Sequence, residues 1–338
     1  MHPLLLRISL GGFEVPLVVA VAAAALLGVA TLSLGVLARR RAVLFLGGAL
    51  CVVALGFAVR GPSAPVPARS LDVTSFGAAS ALAVGLGWAL TRVEARRFAV
   101  EREALDWVLL AAVVSALVGA RVLFVATVHG APWRSVMDLG GGGLSGAGAW
   151  LGGLFGAWLA ARRWNVGYLR VLDAAAPALA FAIVCVRLGC FLQGCDYGPV
   201  LGDSAPSFLQ KAGTLGRWPV ELGLGAGPPL LLEQIQGSVV ELGAAFTAPA
   251  HPTPLYEALV GLGLLAGLAL LSRRRRFVGQ AGLAVVAGYA LFTAALSPLV
   301  VGAERSAFTP WLFVGLGLAA GFLWLERWWR FREASAAL

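Results

Sequence analysis

The chain has 338 residues, of which 59% are hydrophobic and only 13% charged, with 44 glycines and a mean hydropathy of +0.85. That composition excludes an ordinary soluble domain and describes a polytopic membrane protein. The net charge of +9 comes from arginines grouped beside apolar runs, the pattern of topology signals and not of a nucleic-acid surface.

Apolar segments of spanning length fall near 16–38, 42–59, 76–91, 105–127, 144–161, 170–192, 254–272, 277–300 and 308–326. Basic clusters follow every odd span: Arg39 to Arg41, Arg92 with Arg96, Arg97 and Arg102, Arg162 with Arg163, Arg273 to Arg276, and Arg327 with Arg330 and Arg332. Retention of Lys and Arg on the cytoplasmic side then predicts an external N-terminus, a cytoplasmic C-terminus, and external loops at 61–75, 128–143, 195–253 and 301–307. No cleavable signal is expected, because the first apolar run ends in three arginines. The expected fold is all-α and polytopic. An accessory helix pair at 1–69, closed by the Pro-rich Gly61 to Pro67, precedes a seven-span core at 70–326 and a cytoplasmic tail at 327–338.

Within the core, Ser75, Phe76 and Gly77 open the third span. Gly119-Ala120-Arg121 places an arginine in the outer part of the fourth. The run Gly140 to Gly143 precedes Ser145, and its backbone N–H groups at a helix start suit an anionic headgroup. Gly148, Gly152 and Gly156 read as close helix packing. The sixth span ends in Arg187-Leu188-Gly189-Cys190-Phe191-Leu192-Gln193-Gly194-Cys195-Asp196-Tyr197-Gly198. A guanidinium there needs an anionic partner or a wet cavity, and its planar fork matches phosphate; snorkelling to a headgroup is the plainer alternative.

Four cysteines, Cys51, Cys185, Cys190 and Cys195, are too few and too apolar in setting for a disulfide scaffold or a zinc site. They read as small buried residues at helix crossings, with a Cys190–Cys195 bridge left open for an oxidising compartment. The long external segment 195–253 carries Lys211, Arg217, Glu221, Glu233 and Glu241, and its stretch Leu222 to Ile235 is apolar enough to lie on the membrane surface as a lid or docking arm. It closes with His251-Pro252-Thr253-Pro254-Leu255-Tyr256-Glu257. The aromatic belt explains Tyr256, but not a carboxylate in the first turn of a span. Tyr289 lies in the eighth span, and Glu304 and Arg305 in the last external loop.

These motifs resemble the prolipoprotein diacylglyceryl transferases, over roughly 70–326. Gly119-Ala120-Arg121, Gly143-Leu144-Ser145 through Gly152, Arg187 through Gly198 and His251 through Glu257 carry the resemblance, with Met1-His2-Pro3-Leu4-Leu5 similar to the family's usual start. The resemblance implies a bacterial inner-membrane enzyme that moves the diacylglyceryl group of phosphatidylglycerol, or a similar anionic phospholipid, to the lipobox cysteine of a preprolipoprotein signal peptide. Arg187 matches the family arginine that binds phosphate, and Arg121, Gly194 and Tyr289 also match. The expected catalytic set is Arg187, His251, Glu257 and Tyr289. The expected substrate-binding set is Arg121, Ser145, Gln193, Gly194, Tyr197 and Tyr256. No metal or organic cofactor is implied, and no nucleic-acid partner. The sequence departs from the family pattern at Phe76, where a tyrosine is usual, at Ala147, where a histidine is usual, and at Thr293, where a second arginine is usual. Gln193 replaces a common asparagine, and Pro199 follows Gly198 in place of arginine. Two readings follow: a transferase in which Arg187, Arg217 or Arg305, His251 and Glu257 cover the lost roles, or a non-catalytic paralogue that binds lipid or lipoprotein with the same fold. A small-solute transporter is disfavoured, because no pair of broken helices occupies matching halves.

Overall fold

The computed structural model describes residues 4–9, 70–127, 136, 143–217, 227–272, 275–299 and 308–336. The two N-terminal spans at 16–38 and 42–59, the Pro-rich connector, and Gly140 to Gly142, Glu221, Glu304 and Arg305 lie outside them. The chain divides into two compact units, Leu6–Val73 and the remainder. Two short strands, β1 (Leu4–Ser9) and β2 (Ser70–Thr74), pair as a sheet. They are an addition to the expected all-α architecture.

The larger unit is helical. Its long helices are α1 (Ser75–Ala95), α2 (Arg102–Thr127), α3 (Gly146–Arg163) and α4 (Tyr168–Gln193). Two short helices, α5 (Ser207–Gly213) and α6 (Pro229–Gln236), interrupt the series. Then come α7 (Thr253–Ser272), α8 (Gln280–Leu296) and α9 (Thr309–Ala336). Six of them, all the long helices except α3, are long and apolar enough to cross a bilayer. The outer faces of the long helices, α3 included, carry large apolar side chains such as Leu82, Val93, Phe155, Leu159 and Phe322, all exposed, as helices surrounded by lipid require. Helix α9 continues well past the expected end of its span, to Ala336.

Small residues set the closest contact. A Cβ on Gly148 would come within 2.2 Å of the Gly119 carbonyl oxygen, and one on Gly152 within 2.2 Å of that of Ser115. Backbone therefore meets backbone along α2 and α3, and dispersion holds them where lipid offers no hydrophobic gradient. At the α1–α2 turn, Asp106 receives Arg92 Nε at 2.7 Å and Nη2 at 2.6 Å, and Trp88 Nε1 at 3.0 Å.

Helix α4 is the central element and packs on α1, α7 and α8. Near its start Asp173 is 1% exposed. Its carboxylate accepts the backbone N–H groups of Gly279 at 2.6 Å, Ala281 at 2.9 Å and Gly282 at 2.9 Å. One side chain thus caps the N-terminus of a different helix, α8, where the macrodipole favours negative charge. Gly279 makes the turn at φ +97°, so α8 begins at Gln280, three residues later than its apolar run suggests.

The segment between α4 and α7 folds on itself. Gly198 N–H donates to the His251 carbonyl at 2.8 Å, His251 N–H to that of Pro199 at 3.0 Å, and Leu201 N–H to that of Pro249 at 2.8 Å. Leu230 packs with Tyr197, Leu215 and Ala250, and Leu231 is fully buried. The described part of Leu222 to Ile235 is therefore anchored in this segment's own core through Leu230 and Leu231, to which Tyr197 and Leu215 offer a buried face. Burial pushes the Tyr197 phenol up, so it stays protonated and donates to the Phe191 carbonyl at 3.2 Å.

Asp173→Ala leaves three buried N–H groups without their acceptor. A loss of about 3 kcal/mol is expected, at roughly 1 kcal/mol per unmade bond, with Asp173→Asn intermediate. Thermal unfolding in detergent checks this; an unchanged midpoint for Asp173→Ala would count against the cap.

Candidate active site

Arg187 lies six residues before the end of α4, and its side chain is 14% exposed. Nη1 donates to Asp196 Oδ2 at 2.8 Å, and Nη2 meets Glu257 Oε2 at 2.9 Å. Nη2 and Nε also point to Tyr289 Oη, at 2.9 and 3.3 Å. The phenol in turn donates to Glu257 Oε2 at 2.6 Å. The guanidinium is thereby clasped by a carboxylate from α7, a phenol from α8 and a carboxylate from the turn after α4. Glu257 is buried and Asp196 half-exposed, so the cluster has one fixed anion and one that solvent can replace.

Aromatic packing orients the phenol. Trp150 stacks on Tyr289 with ring centroids 5.2 Å apart, and Phe313 meets it edge-on at 6.4 Å. Ala147 belongs to the same buried cluster. Thr293 follows Tyr289 by one helical turn, and its Oγ1 is buried without a hydrogen-bond partner among the described residues. Phe76 lies across the α1–α4 crossing, where a Cβ on Gly189 would approach its Cα to 3.1 Å.

The other expected residues have other surroundings. Arg121 is buried in α2, donates from Nη1 to the Gly143 carbonyl at 2.8 Å, and lies over the Phe124 ring. Ser145 caps α3 by accepting from Gly148 N–H at 3.3 Å. Next to it, a Cβ on Gly146 would reach Arg187 Nη2 at 3.9 Å. The Gly143–Gly146 turn therefore bonds to Arg121 at one end and comes near Arg187 at the other. Gln193 accepts from Ser75 Oγ at 3.1 Å and ties the end of α4 to the start of α1. Gly194 makes the left-handed C-cap at φ +83°. His251 Nδ1 and Tyr256 Oη are 3.3 Å apart. Arg217, a proposed substitute for a lost arginine, donates to the carbonyls of Ala244 and Leu242 and serves the segment between α4 and α7. An apolar groove of about 540 Å³ runs from Tyr256 between α7 and α8, lined by Leu259, Val260, Gly263, Leu264 and Phe292.

Asp196 as a ligand of Arg187, and Trp150 and Phe313 as supports of Tyr289, escaped the sequence reading. Asp196 lies within the same motif, and an acid beside a membrane arginine was the available signal.

A family model described as prolipoprotein diacylglyceryl transferase matches residues 66–297. The chain belongs to that family. It is 30% identical over 231 residues to a phosphatidylglycerol-prolipoprotein diacylglyceryl transferase of Thermus thermophilus, across 67% of this chain and 79% of the relative. It is 32% identical over 229 residues to the protein of that name from Gloeobacter violaceus, across 64% and 74%. Against the one from Neisseria meningitidis serogroup A it is 28% identical over 189 residues, 56% of this chain, and spans 63% of that relative's length.

Removing one partner of a buried ion pair leaves the other uncompensated. Glu257→Gln and Glu257→Ala are therefore expected to lower stability by about 3 kcal/mol or more, and Asp196→Asn by under about 1 kcal/mol, since its pair is half-exposed. Denaturation of the three variants in one detergent tests this order; equal losses would show that Glu257 is not the fixed anion.

Proposed function

We propose that this protein transfers the diacylglyceryl group of phosphatidylglycerol to the lipobox cysteine of a preprolipoprotein signal peptide, in the bacterial inner membrane, with the Arg187 end of α4 toward the external side. The observation that carries this reading is a buried guanidinium, clasped by Glu257 and Tyr289, at the signature position of a chain in this family. The names of its relatives favour transfer over the lipid-binding paralogue.

The reaction forms a C–S bond at the glyceryl carbon and breaks its C–O bond, and the electron pair leaves with glycerol phosphate. A thiol of ordinary pKa about 8.5 must first lose its proton. His251 takes that proton in this reading. With Nδ1 donating to Tyr256, Nε2 is the basic nitrogen. Phosphate displaces the half-exposed Asp196 from Nη1, while Glu257 stays in place and keeps the guanidinium oriented. Arg187 then meets the negative charge growing on the leaving oxygen, where fixed donors count most. The groove below Tyr256 accepts an acyl chain from the bilayer. The hydroxyl of Thr293, one turn from Tyr289, offers a donor to the glycerol phosphate. Arg121 and Ser145 hold the turn beside Arg187, and Gln193, Gly194 and Tyr197 fix the end of α4; these substrate-binding candidates act by positioning.

Complementation of a transferase-depleted bacterium, with thioether lipidation of a reporter lipoprotein followed by mass, tests the proposal. Wild type is expected to restore lipidation. Arg187→Lys is expected to lower it on the order of 100-fold, as loss of one transition-state donor does, because an ammonium lacks the fork. Arg217→Lys should stay within about twofold, since its contacts are to carbonyls that an ammonium also satisfies. No lipidation from stably inserted wild type would overturn the transferase reading.

A further inference from the structure

Cys190 and Cys195 sit on either side of the glycine turn that ends α4. Both Gly194 N–H, at 2.8 Å, and Cys195 N–H, at 3.1 Å, donate to the Cys190 carbonyl, which folds the chain back on itself. The two sulfurs and an Asp196 carboxylate oxygen lie within 4.8 Å of one another. Cys190 is 3% exposed; Cys195 is partly exposed. Both thiols are free. Closing to an S–S distance of about 2.05 Å asks for a shift of under about 3 Å, within reach of a half-buried side chain. A zinc site fits this donor set less well, because a structural zinc takes four ligands and Asp196 is already held by Arg187.

We propose that Cys190 and Cys195 are a dithiol site that closes reversibly to an intramolecular disulfide by exchange with an external disulfide. Cys195 gives up its proton and attacks one sulfur of the external disulfide, whose other half leaves as a thiolate. Cys190, deprotonated in turn, attacks Cys195 Sγ and expels the second half. The chain loses two protons and two electrons, and one external disulfide becomes two thiols. Asp196 follows Cys195 directly, so the bridge fixes the backbone that presents its carboxylate to Arg187. The site stands whether or not the chain transfers a diacylglyceryl group.

The test uses the full chain in detergent, equilibrated with glutathione mixtures from reducing to oxidising, then alkylated and digested with trypsin. Peptide Leu188 to Lys211 holds Cys190 and Cys195 and excludes Cys51 and Cys185. In oxidising mixtures it is expected to lose two hydrogens and all alkyl label, and on reduction to regain both labels. In Cys190→Ser the same peptide should instead carry glutathione on Cys195. Two alkyl groups on the wild-type peptide at every poise, or a glutathione adduct that never resolves to the bridge, would overturn the proposal. Because the readout is a peptide mass, a failure here is distinct from a failure of lipidation.

Discussion

A guanidinium in a membrane helix has to be compensated, and the arrangement of α4, α7 and α8 follows from how Arg187 is. Glu257 and Tyr289 come from two different helices, so neither can move away without exposing a charge to a medium that solvates it poorly. The opposite end of α4 uses the reverse polarity. There Asp173 receives three N–H groups at the start of α8. The two residues are about 21 Å apart along the helix, at 1.5 Å per residue. Helix α8 is thus held to α4 at both ends by polar contacts, and the apolar contacts between fill a register already set.

The glycine contact of α2 and α3 has its effect at a distance. Close approach of Gly119, Gly148 and Gly152 draws the start of α3 onto Arg121, and the Gly143–Gly146 turn is then laid beside Arg187. Dispersion packing in one helix pair in this way positions backbone next to a charge on another.

The seven long helices among the described residues were legible because long apolar runs bounded by arginines leave few other solutions in a bilayer. Their ends were less so: the start of α8 depends on Gly279 and Asp173, and the latter is more than a hundred residues away. Arg187, Glu257 and Tyr289 could be read because charge and phenol are conspicuous in apolar surroundings. The grouping of His251, Tyr256 and Glu257 could not. Successive helical residues point about 100° apart, so Tyr256 turns toward His251 while Glu257 turns toward Arg187. The contact of Leu230 with Tyr197 was not legible either, because composition alone cannot tell a leucine that meets lipid from one that meets a ring.

The hydrogen bonds joining Gly198 and Pro199 to His251 alter how far apart Arg187 and Glu257 are to a folding chain. Seventy residues separate them in sequence. Once that neck is zipped, the path is eleven residues from Arg187 to Gly198 and six from His251 to Glu257. Loop closure grows with the logarithm of length, so the shortcut lowers the entropic barrier to forming the ion pair by about 1 kcal/mol. The segment between α4 and α7 thereby converts a remote contact into a nearly local one, and a chain that zips its neck first meets the charged pair already within reach.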